Sequence, residues 1–114
     1  MKLLILILNK TEDMEDILAE FVNYNIPGAT ILSSAGMART LSNSNYEDMS
    51  FLGSLRAILD PDRRENKTIL TVIKDNQVDD AITAIENVIG DLSNPDTGIA
   101  FTLPVDFVKG INFK

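Results

Sequence analysis

Four short apolar runs and two amphipathic stretches, ordered β-α-β, a long connection and β-α-β again, predict an α+β fold. Two such units with right-handed crossovers close into a four-stranded antiparallel sheet with both helices on one face, the ferredoxin-like double βαβ sandwich. A chain of 114 residues suits a single domain over 1–114 and can bury one core without staples.

The elements follow from local pattern. Leu3 to Leu8 is a continuous apolar run, as expected of a strand in a sheet centre. A helix is predicted from Thr11, with Glu12, Asp13 and Glu15 complementing the dipole of its first turn. Met14, Ile17, Leu18, Phe21 and Val22 share one helical stripe, and Asn25-Ile26-Pro27-Gly28 stops it. Ala29 to Leu32 reads as a second strand, ending near Gly36. The β-branched run Lys67 to Lys74 is a third strand. Asn76 is placed to cap the next helix, with Asp79 at the capping-box position. Val78, Ala81, Ile82, Ile85 and Ile89 form its buried stripe, and Gly90 is placed to end it. After the polar loop Asp91–Gly98, Ile99 to Leu103 is a fourth strand, stopped by Pro104.

Composition narrows the chemistry. The chain has no cysteine, which excludes disulfides, thiolate catalysis and cysteine-bound metal, and no histidine, the commonest general base and metal ligand. No pair of carboxylates stands in a setting suited to acid–base work, so an enzyme is not expected and no metal site is assigned. The acidic pair Asp79-Asp80 reads as dipole complementation at a helix start. A net charge of −7 repels phosphate backbones, so nucleic acid is not an expected partner. The apolar start is too short for a signal peptide or for a span of roughly 20 residues, so no membrane insertion and a cytoplasmic location are expected.

The connection from about Gly36 to Asn66 is long for so small a domain, and such connections are usually functional or disordered. Thr40 to Ser50 is polar and expected to be mobile, whereas Phe51, Leu52, Leu55, Ile58 and Leu59 share one helical face. That face suits either a short helix packed on the fold or a segment that docks on a partner. The strands are apolar on both sides while only one sheet face has helices, so the open face calls for self-association.

The element order, together with several local matches, resembles the PII-like signalling proteins, relatives of the nitrogen-regulatory PII trimer. Met1-Lys2-Leu3-Leu4 leads into a helix after an Asn-Lys-Thr turn, where PII chains have a Lys-Pro turn. Gly28-Ala29-Thr30-Ile31 through Gly36-Met37-Ala38-Arg39 aligns without a gap on the PII stretch Gly-Met-Thr-Val through Gly-Phe-Gly-Arg. Gly98, Phe101, Leu103-Pro104-Val105 and Val108 match the end of the PII pattern. The resemblance implies a homotrimer whose lateral clefts bind a small effector, typically an adenine nucleotide. It also implies signalling to an enzyme, transporter or channel through the long loop. The effector positions it implies are Thr30, Gly36, Met37, Arg39, Thr40, Thr97, Gly98 and Lys109. The partner-binding positions are Tyr46, Phe51, Leu52, Leu55 and Leu59.

This chain departs from the PII pattern at the phosphate site. Thr40 replaces a Gln that helps hold magnesium and 2-oxoglutarate in PII proteins. The glycine-rich loop is represented by Asp91 to Gly98, in which only Gly98 survives; Pro95 has no N–H, and Asp91 and Asp96 would repel phosphate. Ile99, Gly110 and Asn112 stand where PII has cationic side chains. Three lost charged contacts are on the order of 5–9 kcal/mol, against about 8 kcal/mol for a micromolar site, so ATP is expected to bind weakly or not at all. Arg39 is either the anion contact that remains or a solvated loop side chain. Arg63-Arg64 flanks Asp60, Asp62 and Glu65 and suits internal ion pairing.

Two other function classes stay open. One is a structural or interaction protein with vestigial clefts. The other is a different ferredoxin-like module, ACT-like or CutA-like, although the glycine-rich turn of the first and the copper ligands of the second are missing.

Overall fold

The computed structural model describes residues 1–42 and 65–111. The strands are β1 (Lys2–Leu8), β2 (Thr30–Ser34), β3 (Asn66–Ile73) and β4 (Gly98–Pro104), and the helices are α1 (Met14–Asn23), α2 (Met37–Ser42) and α3 (Val78–Ile89). The strands form one antiparallel sheet in the order β2-β3-β1-β4. α1 and α3 pack together over one face, which makes the α+β, ferredoxin-like sandwich that the sequence predicts.

Alternation in the central strands decides which side chains enter the core. Leu4, Leu6 and Leu8 of β1 and Ile69 and Ile73 of β3 meet Ile17 and Phe21 of α1 and Ala81, Ala84, Ile85 and Ile89 of α3. Thr71 also lies on this face, and its buried hydroxyl is satisfied by donating to the Gly28 carbonyl at 2.6 Å. The alternate residues form three rows across the other face. Leu3 lies between Val72 and Leu103, Ile5 between Leu70 and Phe101, and Ile7 between Thr68 and Ile99. Among the described residues no helix covers these rows, and Ile99, Phe101 and Leu103 are exposed.

Four local expectations are corrected. Met37–Ser42 is the helix α2, although the connection from Gly36 and the polar stretch from Thr40 read as loop. Thr11–Asp13 is a 3-10 turn, and the α-helix starts at Met14. Val22 is 60% exposed although it belongs to the predicted stripe. Ile17 and Phe21 are one turn apart and seat the helix on the sheet, and Val22 is turned a further ~100° toward the rim. Asn76 does not cap α3: Asp75–Gln77 is a 3-10 turn, and the Lys74 N–H donates instead to Gln77 Oε1 at 2.9 Å. Gly90 does end α3, with a φ of 79° that a side chain rarely adopts. The expected mobile stretch Thr40–Ser50 beyond Ser42, the amphipathic segment Phe51–Leu59 and the Arg63-Arg64 pair lie outside the described residues.

Phe21 is fully buried between helix and sheet, so Phe21→Ala is expected to cost about 3–5 kcal/mol. Val22→Ala at the rim should change stability by less than about 0.5 kcal/mol. Urea denaturation of the two variants checks the assignment, and equal effects would contradict it.

Candidate functional site

The residues singled out by sequence gather at two ends of the sheet. At one end β2 finishes at Ser34, β3 begins at Asn66 and β4 begins at Gly98 beside Leu8. The chain leaves β2 through Gly36 into α2, whose first turn is tied by the Thr40 hydroxyl donating to the Gly36 carbonyl at 2.8 Å. Arg39 is 6% exposed. Its Nη2 donates to Asp96 Oδ1 at 2.7 Å, joining α2 to the loop before β4. The solvated-loop alternative for Arg39 is thereby removed.

Asp96 holds a φ of 55°, a left-handed conformation that Asp tolerates better than most residues. Next to it, Thr97 is 1% exposed, and its hydroxyl donates to the Pro95 carbonyl at 3.3 Å. The Thr97 carbonyl accepts the Asn9 N–H at 3.1 Å, which fixes the loop to the end of β1. Gly98 has a steric reason to be glycine: a Cβ there would stand 2.7 Å from the Ile7 carbonyl oxygen.

The rest of the loop is occupied by the chain's own acids. The Leu92 N–H donates to Glu86 Oε2 at 3.0 Å, and the Ser93 N–H and Oγ donate to Asp91 Oδ1 at 2.9 and 2.7 Å. These two bonds from Ser93 hold the Asp91 carboxyl below the ordinary carboxylate value. The Asn94 N–H turns back to the Asp91 carbonyl at 3.0 Å. A phosphate-binding nest needs such N–H groups directed outward. Here several are already committed.

Beside α2, Ser34 bonds to the Asn66 side chain, and its hydroxyl lies 2.8 Å from that of Thr68. Nothing in the local sequence announces this polar cluster, because its members come from different strands. Thr30 is exposed at the start of β2 and pairs with Leu70, midway along β3. A broad open groove there is bounded by Tyr24, Pro27, Thr30, Leu70, Lys74 and Ile111. Lys109 is exposed, and the adjoining Gly110 and Ile111 line this groove. Met37 and Thr40 are exposed. Within one chain, then, Arg39 reaches the loop before β4, Gly36 and Gly98 lie at the same end of the sheet but at its opposite edges, and Thr30 sits at the other end of β2. Tyr46, Phe51, Leu52, Leu55 and Leu59 lie outside the described residues.

Among the described residues, no three acidic side chains converge as a metal site would, and no helix is long and apolar enough to cross a membrane. The site belongs to an α+β sandwich of ferredoxin-like form. No protein-family model matches the chain, and no curated protein matches its sequence.

Gly98→Ala should destabilise the fold by about 1–3 kcal/mol, because β1 and β4 must part to admit the methyl group. Gly28→Ala, which meets nothing within 4 Å, should stay within about 0.5 kcal/mol, and thermal unfolding of both variants checks the contrast.

A pH series tests the loop. A depressed folded pKa contributes stability above the ordinary value of 3.8, which is lost as pH falls through the folded value. The stability gap between the native chain and Asp91→Asn should therefore be widest near neutrality and close in acid, as followed by denaturant titration at each pH.

Proposed function

We propose that the chain is a PII-like regulatory protein. It forms a homotrimer, takes a small effector in clefts between subunits and signals to a protein partner through the connection at about 36–66. One observation carries this reading. Thr30 stands at the far end of β2 from Gly36, Arg39, Thr97 and Gly98, so a cleft that unites them needs a second copy of the chain. The rows of Leu3, Ile5, Leu70, Val72, Phe101 and Leu103, which no described helix covers, offer an apolar surface for that copy. Monomeric proteins rarely leave contiguous apolar patches of this kind in water.

The effector is small and is not ATP held in the PII manner. Asp96 and Asp91 occupy the loop that would have to cradle a triphosphate, and their charges oppose one. Adenine nucleotide binding rests on the family resemblance alone. The protein acts by binding rather than by catalysis, in the cytoplasm. The closed Arg39–Asp96 pair favours a second reading, an interaction protein with vestigial clefts, and titration with candidate effectors separates the two.

Light scattering on the purified protein should give about three times the 12.6 kDa chain mass. Phe101→Asp, in the middle row of the open face on the edge strand β4, should convert this species to monomer with the helical circular dichroism retained. A native chain that is monomeric at micromolar concentration overturns the intersubunit site.

A further inference from the structure

The end of the sheet that holds Arg39 is liganded from within. Arg39 and Asp96 are 57 positions apart in the chain, and their side chains are only 7% and 12% exposed. The bond between them, at 2.7 Å, is of the short, charge-assisted kind. On either side of it the loop's N–H groups are met by Glu86 and Asp91. Each of these carboxylates sits on a donor that could receive an external oxyanion.

We infer that Asp96 is an intramolecular stand-in for the effector: a small oxyanion ligand reaches Arg39 by displacing the Asp96 carboxylate, and this uncouples α2 from the loop before β4. The inference rests on reading Arg39 as the effector's anion contact, and it does not depend on the number of subunits.

The exchange is physically balanced. One oxyanion replaces another on the same guanidinium, so the buried cation is never left without a partner, which is the costly step in opening a buried ion pair. The released Asp96 regains water. On the loop side, Asp91, Ser93, Asn94 and Pro95 are exposed to solvent, while Thr97 stays anchored to the end of β1. On the other side of the bond, α2 is a single short helix with Met37 and Thr40 exposed. Opening the pair therefore needs no rearrangement of the core, in which neither residue takes part.

Asp96→Asn is the direct test, because it keeps the shape and an acceptor for Arg39 while removing the competing charge. Titration with inorganic phosphate at constant ionic strength, followed by amide NMR, should show at least about tenfold tighter binding than in the native chain. The gain should vanish in the double variant Arg39→Gln/Asp96→Asn. Equal affinity in Asp96→Asn and the native chain, or a gain that survives without Arg39, overturns the inference. If Asp96→Asn does not fold, the native chain decides: phosphate should shift the amide resonances of Arg39, Asp96 and Thr97 together with one saturation curve. Independent or absent shifts would overturn it equally. Failure here leaves a trimer found by light scattering intact. A monomeric chain that still gains phosphate binding through Asp96→Asn removes the intersubunit reading and keeps the displacement.

Discussion

A four-stranded sheet has two faces, and among the described residues the helices α1 and α3 cover one. α1 and α3 cover the side that carries Leu4, Leu6 and Leu8, and the core forms there because both helices offer small or apolar residues along their inner lines. The other side carries Leu3, Ile5 and Ile7 in the same central strand, flanked by apolar residues from β3 and β4. A strand that is apolar at every position cannot be satisfied by one layer of helices. That surplus is the constraint from which the proposed assembly follows, because none of the described helices lies over this side.

The polar end of the sheet obeys a different constraint. A buried guanidinium must keep a counter-charge, and N–H groups near it must keep acceptors. The chain meets both demands with its own acids: Asp96 for Arg39, Glu86 for the Leu92 N–H and Asp91 for Ser93. An acidic protein with net charge −7 has carboxylates to spare for this purpose. The result is a closed arrangement in which the chain's own carboxylates occupy the donors. The apolar open face and the Arg39–Asp96 contact thus lie at separate places on the sheet.

Much of this was legible in the residues. The unbroken run of β1, the β-branched run of β3 and the break at Gly90 are local signals, and each element forms where its pattern lies. The stripe of α1 was legible except at its edge. Periodicity places Val22 beside Phe21, but the depth of burial depends on where the sheet ends beneath the helix. Asn76 had a good cap residue's chemistry, yet Gln77 reached the Lys74 N–H first because the entry is a 3-10 turn.

The candidate site was legible only in part. Arg39 stood out as a cation beside Gly36, and Gly98 as a glycine at a strand start. Asp96 was read as a group that repels phosphate, whereas its first effect is to bind Arg39. The sequence by itself determined the double βαβ order, the apolar character of both sheet faces and the acidic, glycine-poor make-up of the loop Asp91–Gly98, because each depends on residue type and spacing along the chain. Tertiary structure alone decided that Arg39 meets Asp96, that Ser34, Asn66 and Thr68 cluster, and that Thr30 lies apart from them. Those facts depend on strand register and on which loops share one end of the sheet. Register is set by packing the core as a whole, and no local stretch of residues records it.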